Sequence, residues 1–223
     1  MVARQLRADA ERNRRRILDA ARDVFARHGL EAGVDEVARC AGVGVGTLYR
    51  RFPTKDHLLL AVVQDNTERV VAEVEAAAAL DDPWDAFAAA ARVLAASTAR
   101  NRALHQVFQE TWPLIPAASE CRDRTLGALA PILARAQGAG AVRPDIVVAD
   151  IPALCAVAAR LPAWRLDAEP DLWTRYLAVV LDGTRPAAAR ELPHPAPREV
   201  SPSREALSAS RATSSPRARA RRP

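Results

Sequence analysis

Several kinds of protein are excluded by what this sequence of 223 residues has little of. Its three cysteines, Cys40, Cys121 and Cys155, are odd in number and lack metal-ligand spacing, so we predict neither a disulfide framework nor a metal site. No apolar run reaches the roughly 18 residues of a membrane-spanning helix, and no apolar stretch follows the basic N-terminus as it does in a signal peptide. The sequence therefore predicts a cytoplasmic protein with no membrane partner.

Aromatic residues and glycines are also scarce, at 4% of the chain and nine residues. Alanine is abundant in their place, and it favours helices that pack closely through small side chains. Apolar residues recur at helical spacing through most of the chain, and no hairpin turn or strand–helix–strand unit is recognisable. We predict an all-α protein with an N-terminal three-helix domain at 9–55, a linking helix from about 55 to 79 and a helical domain at 80–185.

The remaining residues, 186–223, differ in composition from the rest of the chain. They hold seven of its 16 prolines, together with serine, arginine and alanine, and show no apolar periodicity. Such a composition buries too little apolar surface to offset the entropy of ordering. We therefore predict a disordered C-terminal tail.

The basic residues are unevenly distributed along the chain, and Lys55 is the one lysine among 32 of them. Residues 1–55 hold 12 basic and 7 acidic residues, residues 56–185 hold 12 and 17, and residues 186–223 hold 8 and 3. A GC-rich coding sequence explains the preference for arginine over lysine. It does not explain why basic residues outnumber acidic ones at both ends of the chain while acidic residues predominate in the middle. A basic segment with its own apolar pattern indicates a polyanion partner, with nucleic acid first.

Two short helices, predicted at 34–41 and 44–52, are joined by a tight turn at Gly42. Within a three-helix unit this pattern is typical of a helix-turn-helix, whose second helix enters the major groove of DNA. The outward residues of that helix suit thymine methyl groups, phosphates and base edges. These residues are Val45, Thr47, Tyr49, Arg50 and Arg51. The alternative is an ordinary corner between two helices, which also requires a glycine.

The stretch Gly33–Lys55, GVDEVARCAGVGVGTLYRRFPTK, resembles the DNA-binding motif of the TetR family of transcriptional regulators. The resemblance implies a motif at 33–52, a recognition helix from about Gly44 to Phe52, and a C-terminal domain that binds a small-molecule effector and dimerises. Gly33 stands where the family commonly has threonine or serine, so one phosphate contact is lost while the helix cap survives. The resemblance implies DNA contacts for Thr47, Tyr49 and Lys55. Together with the helix pattern it leads us to predict a DNA-binding site of nine residues: Gly33, Gly44, Val45, Gly46, Thr47, Tyr49, Arg50, Arg51 and Lys55.

An effector pocket is the second predicted site. Aromatic residues are rare in this chain, yet several of them and one histidine gather between residues 84 and 112. We predict an apolar pocket with one polar handle, lined by Trp84, Phe87, His105, Phe108 and Trp112. The alternative for each position is plain core packing, which is the more common role of such residues.

A dimer interface is predicted on the last two helices of the body, about 148–161 and 171–182. Their apolar residues cover more than the single stripe that a surface helix needs, so a second face of each is expected to be buried in a twofold four-helix bundle. The interface residues that we predict are Ile151, Leu154, Cys155, Ala158, Leu172, Tyr176, Leu177 and Val180. The alternative is that the extra apolar width packs within one subunit, against the helix at 116–137.

These patterns together predict a homodimeric, ligand-responsive DNA-binding regulator. We expect it to be a repressor that binds a palindromic double-stranded operator and is released by a small-molecule effector. No cofactor is predicted, and the nucleophile-elbow, zinc-protease and nucleotide-binding motifs are absent from the sequence, so we predict no catalytic activity. The alternative is a helical enzyme or an interaction module that retains a corner resembling a helix-turn-helix.

Overall fold

The computed structural model of the chain describes residues 2–101, 116–160 and 169–196. Within these ranges it contains eight α-helices and no β-strand, which confirms the predicted all-α class. The helices are α1 (Val2–His28), α2 (Val34–Ala41), α3 (Val45–Arg51), α4 (Lys55–Ala78), α5 (Pro83–Arg100), α6 (Pro116–Gly138), α7 (Asp150–Ala159) and α8 (Leu172–Gly183). Within the predicted helical domain at 80–185, residues 102–115 and 161–168 lie outside the described residues.

The residues that begin and end the helices act as the sequence indicates. Thr54 caps α4, because its hydroxyl oxygen accepts a hydrogen bond from the His57 backbone N–H at 3.2 Å. Asp82 caps α5 in the same way, accepting from the Asp85 backbone N–H at 2.8 Å. Gly29 follows α1 with a φ of +68°, a conformation that glycine adopts without strain. The start of α1 differs from the prediction: the helix begins at Val2 rather than at residue 9, since no proline or glycine interrupts it.

The N-terminal domain has a hydrophobic core of its own. In α1, Phe25 is fully buried, and it belongs to one cluster with Val37 of α2 and Leu48 of α3. The first half of α4 completes this cluster through Leu58 and Val62. These helices therefore hold α3 on a packed base.

The second half of α4 belongs to a separate hydrophobic core, formed with α5 to α8. Val74 of α4 lies in this core together with Phe87 of α5 and Leu129 of α6. The far end of α4 is also tied to α6, because the Arg135 guanidinium donates hydrogen bonds to the carbonyl oxygens of Ala78 and Leu80 at 3.1 and 2.8 Å. One helix thus crosses from the first core to the second.

Contacts of the chain continue past residue 186, where the sequence predicts the start of a disordered tail. Pro186–Ala188 forms a turn of 3₁₀ helix. A few residues further on, the carbonyl oxygen of Arg190 accepts a hydrogen bond from the guanidinium of Arg143. Residues 186–190 therefore make contacts with the helical domain, whereas residues 197–223 of the predicted tail lie outside the described residues.

Candidate functional site

The turn between α2 and α3 is closed by backbone geometry and by a side chain of α1. Gly42 has a φ of +62°, and the Val43 N–H donates to the Ala38 carbonyl oxygen at 3.0 Å, which ends α2. The Arg16 guanidinium lies 3.4 Å from the Gly42 carbonyl oxygen. A side chain at position 42 would be strained, and its Cβ would lie 2.7 Å from an Arg16 nitrogen. The angle between the two helices is therefore set by this glycine.

The short helix α3 has one buried face and one exposed face. Leu48 is fully buried, and Phe52, directly after the helix, is 5% exposed. On the opposite face Tyr49 is 45% exposed, and Arg50 and Arg51 are exposed as well. The helix therefore turns one aromatic ring and two cations outward from a fixed base, a combination suited to phosphates and base edges.

The start of α3 presents little side-chain bulk. Gly44 is its N-cap, and Gly46 in the first turn is exposed. Val45 between them is 39% exposed, an apolar tip that matches the methyl group of thymine. Thr47 is half-buried, and its hydroxyl oxygen lies 3.4 Å from an Arg50 nitrogen, which orients that guanidinium along the helix.

Two further positions assigned to DNA binding flank this helix. Gly33 is exposed and caps α2 through an extended backbone, with no side-chain hydrogen bond. Lys55 is half-buried at the first position of α4. Whether these nine residues contact DNA stays a prediction, but the structure brings all of them to the turn, to α3 and to the adjoining helix starts.

A cavity of about 330 Å³ lies in the C-terminal domain between α4, α5, α6 and α7. Its α4–α5 side is polar, with Asn66 and Thr67 on α4 and Ser97 on α5. Its α7 side is apolar, formed by small residues such as Ala153 and Ala156. Such an amphipathic cavity has the size and chemistry of a small-molecule site.

The aromatic residues predicted to line the pocket lie elsewhere or outside the described residues. Phe87 is 3% exposed in the C-terminal core, with its ring centroid 5.9 Å from that of Trp84. The Arg185 guanidinium lies over the Trp84 ring, 3.6 Å from the ring centroid. His105, Phe108 and Trp112 lie outside the described residues. For Phe87 the structure supports the core-packing alternative, whereas Trp84 is half-buried and lines a separate cavity of about 200 Å³ between α5 and α8.

The predicted dimer residues divide between two sides of α7 and α8. Four of them lie in the subunit's own core: Ile151, Cys155, Ala158 and Leu177. For these four the prediction is corrected, because the most apolar stripe of each helix packs against α5 of the same chain. Leu154, Leu172, Val180 and Tyr176 remain partly or largely exposed. Burial also raises the pKa of the Cys155 thiol to about 12, so this cysteine is a buried neutral group.

Sequence patterns did not single out the polar contacts where the N-terminal domain meets α4 and α5. Arg22 of α1 donates to the Asp65 carboxylate of α4 at 2.8 Å, and the two side chains are only 15% and 23% exposed. On the next residue of α4, the Asn66 amide donates to the Ser97 hydroxyl at 3.0 Å. Asn101 donates to the Asn66 side-chain oxygen at 3.3 Å. The one signal that could have indicated them is the group of polar residues that ends the alanine-rich helix α5.

A double-mutant cycle on Arg22→Met and Asp65→Asn is expected to give a coupling energy of about 1–2 kcal/mol, because a partly buried charged pair is poorly screened. Urea unfolding of the two single variants and the double variant measures it. Asp19, which also accepts from Arg22 at 3.0 Å but is 64% exposed, is the matched control. The Arg22–Asp19 cycle is expected to give at most about 0.5 kcal/mol. Equal coupling energies in the two cycles would contradict a special role for the α1–α4 pair.

The described residues contain no group of three side chains that could hold a metal ion. No helix among them is long and apolar enough to cross a membrane. The features that remain are a supported helix-turn-helix, a crossing helix and a helical domain with a cavity. Together they define the class of helix-turn-helix regulatory proteins.

Comparison with known proteins agrees with this class. Residues 17–62 match the family described as bacterial regulatory proteins, tetR family, and residues 82–186 match the C-terminal domain described as transcriptional regulator SbtR-like. A crystal structure of a TetR transcription regulatory protein from Mycobacterium vanbaalenii is 38% identical, with a TM-score of 0.61, over 81% of this chain and 99% of that one. This chain therefore belongs to the TetR family of bacterial regulatory proteins.

Two more relatives illustrate how the similarity is distributed. A TetR transcriptional regulator from Streptomyces coelicolor is 32% identical, with a TM-score of 0.58, over 78% of this chain and 99% of that one. The transcriptional repressor KstR of Mycolicibacterium smegmatis is 45% identical over 76 residues, which are 33% of this chain and 37% of that protein. The match to this curated relative thus spans little more than a third of its length.

Proposed function

We propose that this protein is a homodimeric repressor that binds a palindromic operator and is released from it by a small-molecule effector. The observation that carries the proposal is the exposed face of α3, where Val45, Tyr49, Arg50 and Arg51 stand on a helix whose reverse side is fully packed. The name of the Mycolicibacterium relative, a repressor, supports the direction of regulation. On this proposal the protein acts in the cytoplasm and has no catalytic activity.

The residues of the interface have different tasks in this proposal. Tyr49 and Lys55 bind phosphate, and they fix the position of the protein on the duplex without reading sequence. Val45 contacts a thymine methyl group, and Arg50 reaches a base edge in the major groove. Because one seven-residue helix reads only a few base pairs, specificity requires a second copy about one DNA turn away, roughly 34–36 Å.

The effector binds in the cavity of the C-terminal domain. A ligand there with an oxygen or nitrogen atom competes for Asn66, whose amide otherwise bonds to Ser97 and Asn101. The preceding residue of α4, Asp65, holds Arg22 of the N-terminal domain. Successive residues of one helix therefore contact the effector cavity and the DNA-binding domain. A shift of α4 on ligand binding changes the position of α3, which is the physical link between the two sites.

DNA binding is tested with an operator obtained by in vitro selection from random duplexes. Lys55→Ala is expected to weaken binding to all sequences alike and to lower the slope of log affinity against log salt by about one, because one phosphate contact is lost. Tyr49→Ala is expected to weaken binding about fivefold without changing that slope, since it removes an uncharged hydrogen bond of about 1 kcal/mol. Gel retardation over a range of salt concentrations measures both effects.

The matched control is Arg124→Ala, which removes one exposed positive charge from α6 in the other domain. It is expected to leave both the affinity and the salt slope unchanged. If Arg124→Ala and Lys55→Ala behaved alike, the charge effect would be nonspecific and the assigned interface would be wrong. If the full chain selected no sequence and retarded no duplex, a helical enzyme or an interaction module would be the better explanation.

A further inference from the structure

The chain that follows α8 runs back across the body of the C-terminal domain. We call residues 189–196 the C-terminal strap. It is held at Arg143, which is 6% exposed and donates to both carboxylate oxygens of Asp145 at 2.6 and 2.7 Å and to the carbonyl oxygen of Arg190. The Arg143 backbone N–H also donates to the Thr184 carbonyl oxygen at 2.9 Å. The hydrogen bonds from Arg143 hold the pKa of Asp145 below its ordinary value, so this anchor stays charged at neutral pH.

An apolar groove of about 500 Å³ lies between the strap and the outer faces of α7 and α8. Two valines of these helices are unusually exposed for their type, Val157 at 72% and Val179 at 67%. On the strap side of the groove, Leu192 is 45% exposed. Concentrated apolar exposure of this kind marks a surface that another molecule covers.

Two charges that flank Val179 along the exposed side of α8 favour a second copy of the same chain. Arg175 and Asp182 are both exposed on α8, seven residues apart and thus on one face, with Val179 between them. Neither takes part in an ion pair within the described parts of the chain. When two such helices meet antiparallel about a twofold axis, each arginine faces the partner's aspartate and the valines meet in the middle. A partner of unrelated sequence would not be expected to present the same order of arginine, valine and aspartate along a helix.

The strap limits what else could bind. Pro193 and Pro195 lack backbone N–H groups, so this edge cannot add a partner strand by a continuous ladder of hydrogen bonds. The two helices are also short, since ten residues of α7 span only about 15 Å. A stable dimer buries about 800 Å² on each partner, which favours an interface that extends beyond two short helices.

We infer that the C-terminal strap forms part of the dimer interface, so that each subunit's α7–α8 face packs between the helices and the strap of the other. This inference rests on the homodimer of the proposed function and adds to it a segment beyond the helical bundle. Arg143 already holds the strap against the domain in the single subunit. The strap therefore loses less conformational entropy when a second copy binds. Leu192 is the strap residue expected to contribute most, because it is the largest exposed apolar side chain there.

The strap is tested by sedimentation equilibrium of the full chain and its variants. Leu192→Asp is expected to weaken the dimer by about tenfold or more, because it places a charge in an apolar contact. Arg190→Ala is the matched control: it changes the neighbouring strap side chain but keeps the backbone carbonyl that Arg143 holds, and it is expected to leave the dimer unchanged. Circular dichroism melting checks that every variant keeps its fold. An unchanged dimer in folded Leu192→Asp overturns the role of the strap.

Exchanging the charges on α8 tests whether the molecule that covers the groove is a second copy of this chain. Arg175→Asp and Asp182→Arg are each expected to weaken the dimer, and the double variant is expected to restore it, because only a second copy changes both partners at once. A chain that ends at Ala196 is expected to dimerise as the full chain does. If residues 197–223 covered the groove instead, their removal would free it and tighten the dimer at least tenfold. That result would overturn the inference.

The result for the unaltered chain separates the two proposals. A wild-type dimer that tolerates Leu192→Asp removes the strap from the interface but leaves the homodimer in place. A wild-type chain that stays monomeric at micromolar concentration overturns both.

Discussion

Leu48→Ala is expected to abolish operator binding and to destabilise the N-terminal domain by about 3 kcal/mol. Leu48 is fully buried on the inner side of α3, so its loss leaves a cavity directly behind the residues that face DNA. The domain is small and has its own core, so a loss of this size is a large share of its stability. Amide hydrogen exchange in α1 to α3 measures the local loss of protection.

The matched control for Leu48→Ala is Leu129→Ala, a leucine in α6 that is 1% exposed in the other core. All four tryptophans follow residue 80 in the sequence, so tryptophan fluorescence reports on the C-terminal domain. We expect Leu129→Ala to shift the fluorescence transition, whereas Leu48→Ala leaves it near its original midpoint. A single transition that moved equally in both variants would show that α4 joins the two cores into one cooperative unit.

Leu177→Arg is expected to unfold the C-terminal domain rather than to release folded monomers. Leu177 is 2% exposed and packs in the subunit's own core, so an arginine there would be a buried charge without a partner. Such substitutions belong to the class that costs more than about 4 kcal/mol. Loss of the tryptophan transition and of helical circular dichroism measures the outcome.

Val179→Arg is the companion substitution on the same helix. Val179 is 67% exposed, so the arginine remains solvated and the monomer is expected to keep its melting temperature within a few degrees. If Leu177→Arg gave a folded monomer and Val179→Arg an unfolded chain, the assignment of inner and outer faces of α8 would be reversed.

The helix-turn-helix could be predicted from the sequence because its determinants are local. Gly42 marks the turn, Thr54 caps the next helix, and the apolar positions of α2 repeat at helical spacing, so each signal is read within a few residues. The observed bounds of α2, Val34–Ala41, are those predicted, and α3 differs by one residue at each end. The exposed and buried faces of α3 follow from the same periodicity.

The C-terminal domain could be predicted only in outline, because its packing depends on contacts between distant residues. Helix α7 is apolar on nearly every side, so periodicity does not distinguish the face toward the subunit core from the face toward a partner. Arg22 and Asp65 are 43 residues apart, and Arg143 and Arg190 are 47 apart, separations at which no local pattern relates two side chains. The prediction that Phe87 lines the effector pocket was wrong for a physical reason. Its ring is a large apolar group, and in an alanine-rich domain such a group fills the core.

Asp65 and Asn66 are successive residues of α4, one in contact with the N-terminal domain and the other beside the effector cavity, and under the proposed function this has a consequence for gene regulation. If one rigid helix transmits the effect of the effector to the DNA, it transmits the effect of the DNA to the effector by the same factor, because binding free energies are reciprocal. The protein on its operator is then a weaker receptor than the protein free in solution. Operators of different strength consequently respond at different effector concentrations, and the strongest operator is the last to be released.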